Sequence, residues 1–192
     1  MPLPAGIQGW SLCGLVMLML GSLLHVIGLA TPDWSVGYPE KSSPLPKISV
    51  GLWEVCMSFC QALLHQEKSE IWKTCDALAI VGMLFSFLSV GAAAYVMYLK
   101  VKAKPDNESL VKLSTAMSIL SLLSILICTI MWSAGLHPGV VHDFWPGTRH
   151  DKIFEEGPDI DHNTLGYSFI LSILGGCLLS IGGVIFSCSL RK

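Results

Sequence analysis

The sequence predicts an all-α membrane protein: a four-helix transmembrane bundle, with a strand in the polar segment outside the bilayer. Three observations point there. The 192 residues are 52% hydrophobic and only 14% charged, with a mean hydropathy of +0.60, whereas a soluble domain carries about a quarter charged residues. Four long apolar runs divide the chain. In the polar segment between the first two, Ile48, Val50 and Leu52 alternate with Ser49 and Gly51, the period of a half-buried strand.

The runs come in order as Ser11 to Ala30, Ala77 to Leu99, Leu113 to Leu136 and Leu165 to Ser189. Crossing a hydrocarbon core of roughly 30 Å takes about 20 helical residues, and each run supplies them. Only His25 is ionisable in the first, and the second and fourth hold no charge. Helices satisfy their own backbone hydrogen bonds, which lipid cannot do, so four spans within a single membrane domain are expected. The first run is read as a retained span and not a cleaved signal peptide, because residues 1–10 carry no Lys or Arg.

Basic residues set the expected orientation. Lys100, Lys102, Lys104 and Lys112 crowd the short linker between the second and third runs, and Arg191 and Lys192 follow the fourth. This places both termini and the linker in the cytoplasm, and the polar segments 31–76 and 137–164 outside. The sequon at Asn107 then lies on the cytoplasmic side, unglycosylated. A formal net charge of −2 without a basic stripe argues against a nucleic-acid partner.

Small residues recur at packing intervals: Gly14, Gly21 and Gly28 in the first run, Gly82, Ser86, Ser89 and Ala93 in the second, Ser172, Gly176 and Ser180 in the fourth. They let helices approach closely where no hydrophobic drive operates, and packing within one bundle is the simpler expectation. His25 is expected to snorkel or to hydrogen-bond inside that bundle.

The first outer segment opens Thr31-Pro32-Asp33-Trp34, where proline ends the span and the indole can sit at headgroup level. Trp53, Val55 and Met57 continue the strand pattern on the other parity, which predicts a bulge or buried strand near Gly51. From Gln61 to Thr74 the pattern predicts a short helix leading into the second span. Of seven cysteines, Cys56, Cys60 and Cys75 share this segment, so one of the three must be left over from any pairing.

A Trp just past the first span, then Gly51-Leu52-Trp53, then Cys56 and Cys60, in the first outer loop of a four-span chain, resembles the claudin superfamily. That group includes claudins, peripheral myelin protein, the epithelial membrane proteins, the lens fibre membrane protein and channel gamma subunits. Trp34, Gly51, Leu52, Trp53, Cys56 and Cys60 occupy the motif positions, and Gly166-Tyr167-Ser168-Phe169-Ile170-Leu171 looks like the entry to the family's last span. The resemblance implies that the loop folds as a small antiparallel sheet pinned by a Cys56–Cys60 disulfide, with Cys56–Cys75 as the rival pairing. Only Met57, Ser58 and Phe59 separate the cysteines, a narrow gap that favours the lens and epithelial branch over ordinary claudins. Two departures stand out. Cys75-Asp76-Ala77 replaces the Arg common at the base of the claudin second span, and the chain ends Ser189-Leu190-Arg191-Lys192 without a Tyr-Val tail.

The second outer segment gathers His137, His142, His150 and His162 among acidic residues, but in no closed ligand spacing, so a solvated acidic loop is expected and no metal or cofactor. Phe144 and Trp145 form a candidate contact surface. Cys188, beside the cytoplasmic face, is a candidate palmitoylation site. No phosphate loop, activated serine or paired intramembrane carboxylate marks an enzyme or transporter.

The resemblance therefore implies a non-enzymatic four-span protein of the plasma membrane and its cell–cell junctions. It would organise contacts or membrane domains through its outer loops. Its partners would be the lipid bilayer and, in cis and trans, itself or related four-span proteins. The alternatives are an auxiliary subunit tuning an ion channel, or a paracellular barrier or pore whose preference Glu54, Glu67 and Glu70 would set.

Overall fold

The computed structural model describes residues 9–39, 47–63, 68–102, 108–137 and 160–190. Among the described residues there are four helices: α1 (Gly9–Ala30), α2 (Glu70–Val101), α3 (Glu108–Met131) and α4 (Tyr167–Leu190). α3 runs into a wider π turn over Trp132–Leu136, closed by the His137 N–H on the Trp132 carbonyl. Five strands complete the element list: β1 (Ser35–Pro39), β2 (Ile48–Val50), β3 (Glu54–Cys56), β4 (Cys60–Ala62) and β5 (Ile160–Leu165). The fold is thus the expected four-helix bundle with a small antiparallel sheet.

All four helices are long and apolar enough to cross a membrane. Their side-chain distribution is inverted relative to a water-soluble bundle. Leu20, Leu23, Leu84, Phe87, Leu88, Ile170 and Leu174 face outward, while Ser22, Ser86, Ser89, Ser114, Ser121 and Ser172 are buried. Such an apolar exterior suits a multi-pass membrane protein, because in water it would be an aggregating surface.

Two helices reach beyond the predicted spans. α2 begins at Glu70, not Ala77, because Ser69 Oγ caps it by accepting the Trp72 N–H at 3.3 Å, and Glu70 pairs with Lys73 at 2.8 Å. α3 begins at Glu108, not Leu113, with a Glu108–Lys112 pair at 2.8 Å on its first turn. Hydropathy marks the part of a helix that lipid can cover, and capped polar turns extend past it. The helix predicted over 61–74 is corrected at its start, where Cys60–Ala62 is a strand, while its end from Glu70 to Thr74 is the first part of α2; residues 64–67 lie outside the described residues. Leu165 belongs to β5, so α4 starts after the Gly166 turn.

The contacts fall into two units. One comprises α1 up to Val26, residues 78–126 of α2 and α3, and α4 from Ser172. Its apolar core is Leu18, Ala93, Val96, Met97, Val111, Leu179 and Phe186. Within it α1 and α4 touch backbone to backbone. A Cβ added at Gly21 would lie 2.6 Å from the Gly175 carbonyl oxygen and the Leu179 nitrogen, and one at Gly14 2.8 Å from the Phe186 nitrogen. The α4 glycines that meet α1 are Gly175 and Gly182; Gly176, from the predicted small-residue row, faces Ile125 and Leu122 of α3 instead. Serines bridge the helices: Ser22 to Ser86 at 3.0 Å, Ser89 and Ser114 each to the other's carbonyl at 2.8 and 2.9 Å, and Ser121 to the Gly82 carbonyl at 2.8 Å. His25 is buried and reaches the Ala79 carbonyl at 3.4 Å, a hydrogen bond inside the bundle as expected.

The second unit comprises 27–77 and 127–171. Its sheet has the order β4-β3-β2-β1-β5, antiparallel throughout. Segments before α4 and after α1 therefore share one sheet: Ser35 pairs with Val50 on one side and Leu165 on the other. Because its flanks are covered, β2 is buried at Ile48, Ser49 and Val50 alike, and not only on alternate residues. No bulge forms near Gly51. β2 ends at Val50, the Gly51 N–H donates to the Glu54 carbonyl at 2.9 Å, and β3 returns from Glu54.

Candidate functional site: the clasped hairpin and its tryptophan supports

The Gly51-Leu52-Trp53 run is the turn between β2 and β3, and its chemistry explains its residues. A Cβ at Gly51 would sit 2.6 Å from Pro32 Cα, so only glycine lets the turn pack against the chain leaving α1. Leu52 is buried, and its carbonyl accepts two donors: Lys68 Nζ at 2.6 Å and Trp72 Nε1 at 3.1 Å. Trp53 donates Nε1 to the Leu29 carbonyl at 2.9 Å, near the end of α1 where helix carbonyls lack intrahelical partners. The turn is thereby tied to α1 on one side and to α2 on the other.

Lys68 is the polar centre of this arrangement. It is buried, pairs with Asp76 at 2.5 Å, and lies 4.8 Å from the Trp53 ring centroid. A buried ammonium requires such a set of partners: a carboxylate, a carbonyl and an aromatic face. The carboxylate thus comes from α2 itself and the cation from the segment before the helix.

Three further tryptophans assemble around β1. Trp34 is 1% exposed and sits edge-on to Trp132 at 5.2 Å and Phe169 at 5.9 Å, with Trp72 edge-on to Trp132 at 5.5 Å. The Trp34 ring is inside the protein, with Nε1 donating to the Gly28 carbonyl at 2.8 Å. Trp132 donates Nε1 to Ser35 Oγ at 3.0 Å. Ser35 Oγ is also 2.8 Å from His137 Nδ1. The serine hydroxyl thus joins the indole and the imidazole, accepting from Trp132 and sharing one hydrogen bond with His137 Nδ1. Burial holds His137 below its usual pKa, which favours the neutral imidazole.

The Gly166-Tyr167-Ser168-Phe169 stretch closes the ring of contacts. A Cβ on Gly166 would strike the Asp33 carbonyl. Ser168 Oγ accepts the Asp33 N–H at 3.1 Å, and the Ser168 N–H donates back to the Asp33 carbonyl at 3.1 Å. Trp34, Gly51, Leu52 and Trp53 are therefore brought together with Ser168 and Phe169 in one packed unit.

The disulfide joins Cys56 to Cys60 with a Cα–Cα distance of 4.0 Å. The two residues are direct partners across the β3–β4 pair, so the bridge caps a hairpin whose loop is Met57, Ser58 and Phe59. Phe59 projects from that loop, 76% exposed, and all of β4 is exposed. Glu54 lies with the two sulfurs in a cluster of ligand-capable groups, but bonded sulfurs are not thiolate ligands. Cys75, the rival partner, is buried elsewhere and faces Cys128 of α3.

Cys188 is exposed on α4. Phe144, Trp145, His142, His150 and the Asn107 sequon lie outside the described residues. Residue types alone did not single out Ser35, Lys68, Asp76, Trp72 or Trp132. Trp132 was hidden inside an apolar run, and the Lys68–Asp76 spacing has meaning only once the turn is folded beside it. No family model and no curated protein matches the chain.

Proposed function

We propose that this chain is a claudin-like four-span protein of the plasma membrane, with both termini cytoplasmic, that organises cell–cell contacts or membrane domains through its outer loops. The observation that carries this reading is the clasped β3–β4 hairpin: an exposed Phe59 on a loop closed by a disulfide, next to a wholly exposed strand. A knob already held in one conformation loses little freedom on docking. An edge strand offers backbone donors and acceptors to a partner strand. The Trp34, Gly51-Leu52-Trp53, Cys56 and Cys60 pattern supports the family assignment.

Expression in cells that lack junctions tests it. The protein should concentrate at boundaries between two expressing cells and not at boundaries with non-expressing neighbours, and Phe59→Ser should reduce that enrichment. Uniform distribution along every boundary would overturn the contact role. A second reading, an auxiliary subunit of an ion channel, draws on an apolar groove in the helices lined by Met19, Leu20, Leu23, Val26, Phe87 and Val90. Co-purification with a channel, lost on Leu23→Trp and without enrichment at boundaries, would favour it.

A further inference from the structure

Two cysteines outside the clasp face each other. Cys75 on α2 and Cys128 on α3 are both completely buried, and each thiol is directed at the other residue's backbone: Cys75 Sγ is 3.7 Å from the Cys128 carbonyl oxygen, and Cys128 Sγ 3.4 Å from that of Cys75. Each thiol reaching the other residue's carbonyl means that the two backbones approach closely at this point, as a disulfide between them requires. The remaining cysteines differ: Cys13 and Cys188 are exposed, and Cys177 is half-buried.

We propose that Cys75 and Cys128 are a redox-sensitive pair that closes into a second disulfide, joining α2 to α3 within the sheet-bearing unit. The oxidant is another disulfide, a small apolar molecule that can enter between the helices. One thiol, as its thiolate, attacks a sulfur of the incoming disulfide and expels the first leaving thiolate. The second thiolate then attacks the mixed disulfide and expels the other. The Cys75–Cys128 S–S bond forms, each cysteine has lost its proton, and the incoming disulfide has taken up the two electrons as a dithiol. Burial makes the pair slow to react compared with exposed Cys13, and sets it apart from thiols that would merely be capped. Closed, the bridge would restrain α2 and α3 beside Trp72 and Trp132, the indoles that support the turn and β1.

The test uses the full chain in lipid nanodiscs, treated with dithiodipyridine, an apolar disulfide that enters bilayers. Unreacted thiols are then alkylated in denaturant and the protein is digested without reduction. The expected product is a linked pair of peptides containing Cys75 and Cys128, two hydrogens lighter than their sum and with no pyridyl group on either cysteine. Cys75→Ser and Cys128→Ser should each abolish it, and Cys56–Cys60 should be unchanged. Oxidation should raise the thermal unfolding temperature of the wild type and of neither variant. Because the linked species is read in the wild type, poor folding of a variant does not blunt the test. Separate pyridyl adducts, full alkylation of both cysteines, or Cys75 joined to Cys56 or Cys60 would each overturn the proposal.

Discussion

The two units of this protein are held by different chemistry. In the glycine and serine unit, cohesion comes from helices whose backbones touch, at Gly14, Gly21, Gly175 and Gly182, and from serine hydroxyls bridging the gap. In the sheet-bearing unit it comes from bulky donors aimed at single acceptors. Four indole N–H groups and one ammonium each find a named oxygen: those of Gly28, Leu29, Leu52 and Ser35, and the Asp76 carboxylate. The first scheme suits apolar surroundings, where small residues are the only means of close approach. The second suits a short-stranded sheet that has little apolar core of its own. They should therefore fail in opposite ways, one by addition of volume and the other by deletion of a donor.

The largest effect is expected from added volume. Gly21→Leu drives a side chain into the Gly175 carbonyl and Leu179 backbone, neither of which can rotate away. Overpacking commonly costs about 1–3 kcal/mol, and backbone neighbours place this case at or beyond the upper end. Loss of the folded monomer in thermal size-exclusion chromatography is the readout. Gly91→Leu, which meets nothing within 4 Å, should be tolerated. Equal loss in both would break the comparison.

Next is Lys68→Met, which keeps the stem and removes the charge. It takes the ammonium away from the mostly buried Asp76 carboxylate and removes one of the two donors to the Leu52 carbonyl. Breaking a fully buried pair from one side costs roughly 3–5 kcal/mol, and because the Asp76 side chain keeps 12% exposure this case falls at about 3 kcal/mol, no more than the overpacking at Gly21, measured as reduced resistance to chemical denaturation. A double variant, Lys68→Met with Asp76→Leu, should recover part of the loss, because the carboxylate is then removed along with the ammonium. Trp132→Phe follows. It preserves much of the ring packing but removes the donor to Ser35 Oγ, at about 1–3 kcal/mol for an unsatisfied buried acceptor.

The smallest effect is a pH dependence confined to the sheet-bearing unit. His137 has its folded pKa below the ordinary value of 6.5, so the neutral form is favoured in the fold. The contribution is complete above pH 6.5 and is lost as pH falls through the folded pKa. Thermal stability should therefore decline below that pH, and His137→Asn should flatten the decline. A steeper loss in the variant would contradict the assignment.

How much of this was legible in the sequence follows the same division. Apolar runs announce helices because lipid demands them, so four spans and their approximate limits could be read directly. The polar first turns of α2 and α3 could not, since Ser69, Glu70 and Glu108 extend helices by capping and pairing and not by hydropathy. Spacing marked small-residue rows for packing within the bundle but not which helix each residue meets: Gly175 and Gly176 are adjacent in sequence yet face α1 and α3. In the sheet-bearing unit the motif residues were visible but their partners were not: Trp34 is buried against Trp132. Nothing local in the sequence indicates that an indole far along the chain will fill that space. The cysteine pair was legible through its resemblance, although its role is narrower than a clasp for the whole sheet. It joins two adjacent residues of one edge hairpin, while the turn before it is secured by Trp53, Trp72 and Lys68.

That distinction can be measured. Hydrogen exchange in nanodiscs, followed by mass spectrometry, would report the strands separately before and after reduction of Cys56–Cys60. Closing so short a loop contributes only about 2 kcal/mol in the chain-entropy model. Reduction should therefore raise exchange in peptides covering Glu54 to Ala62 and leave the β1–β5 pairing protected, whereas Lys68→Met should raise exchange from Ser49 through Cys56 with the disulfide intact. Loss of protection across β1 and β5 on reduction alone, with Lys68→Met indistinguishable from wild type, would contradict the account.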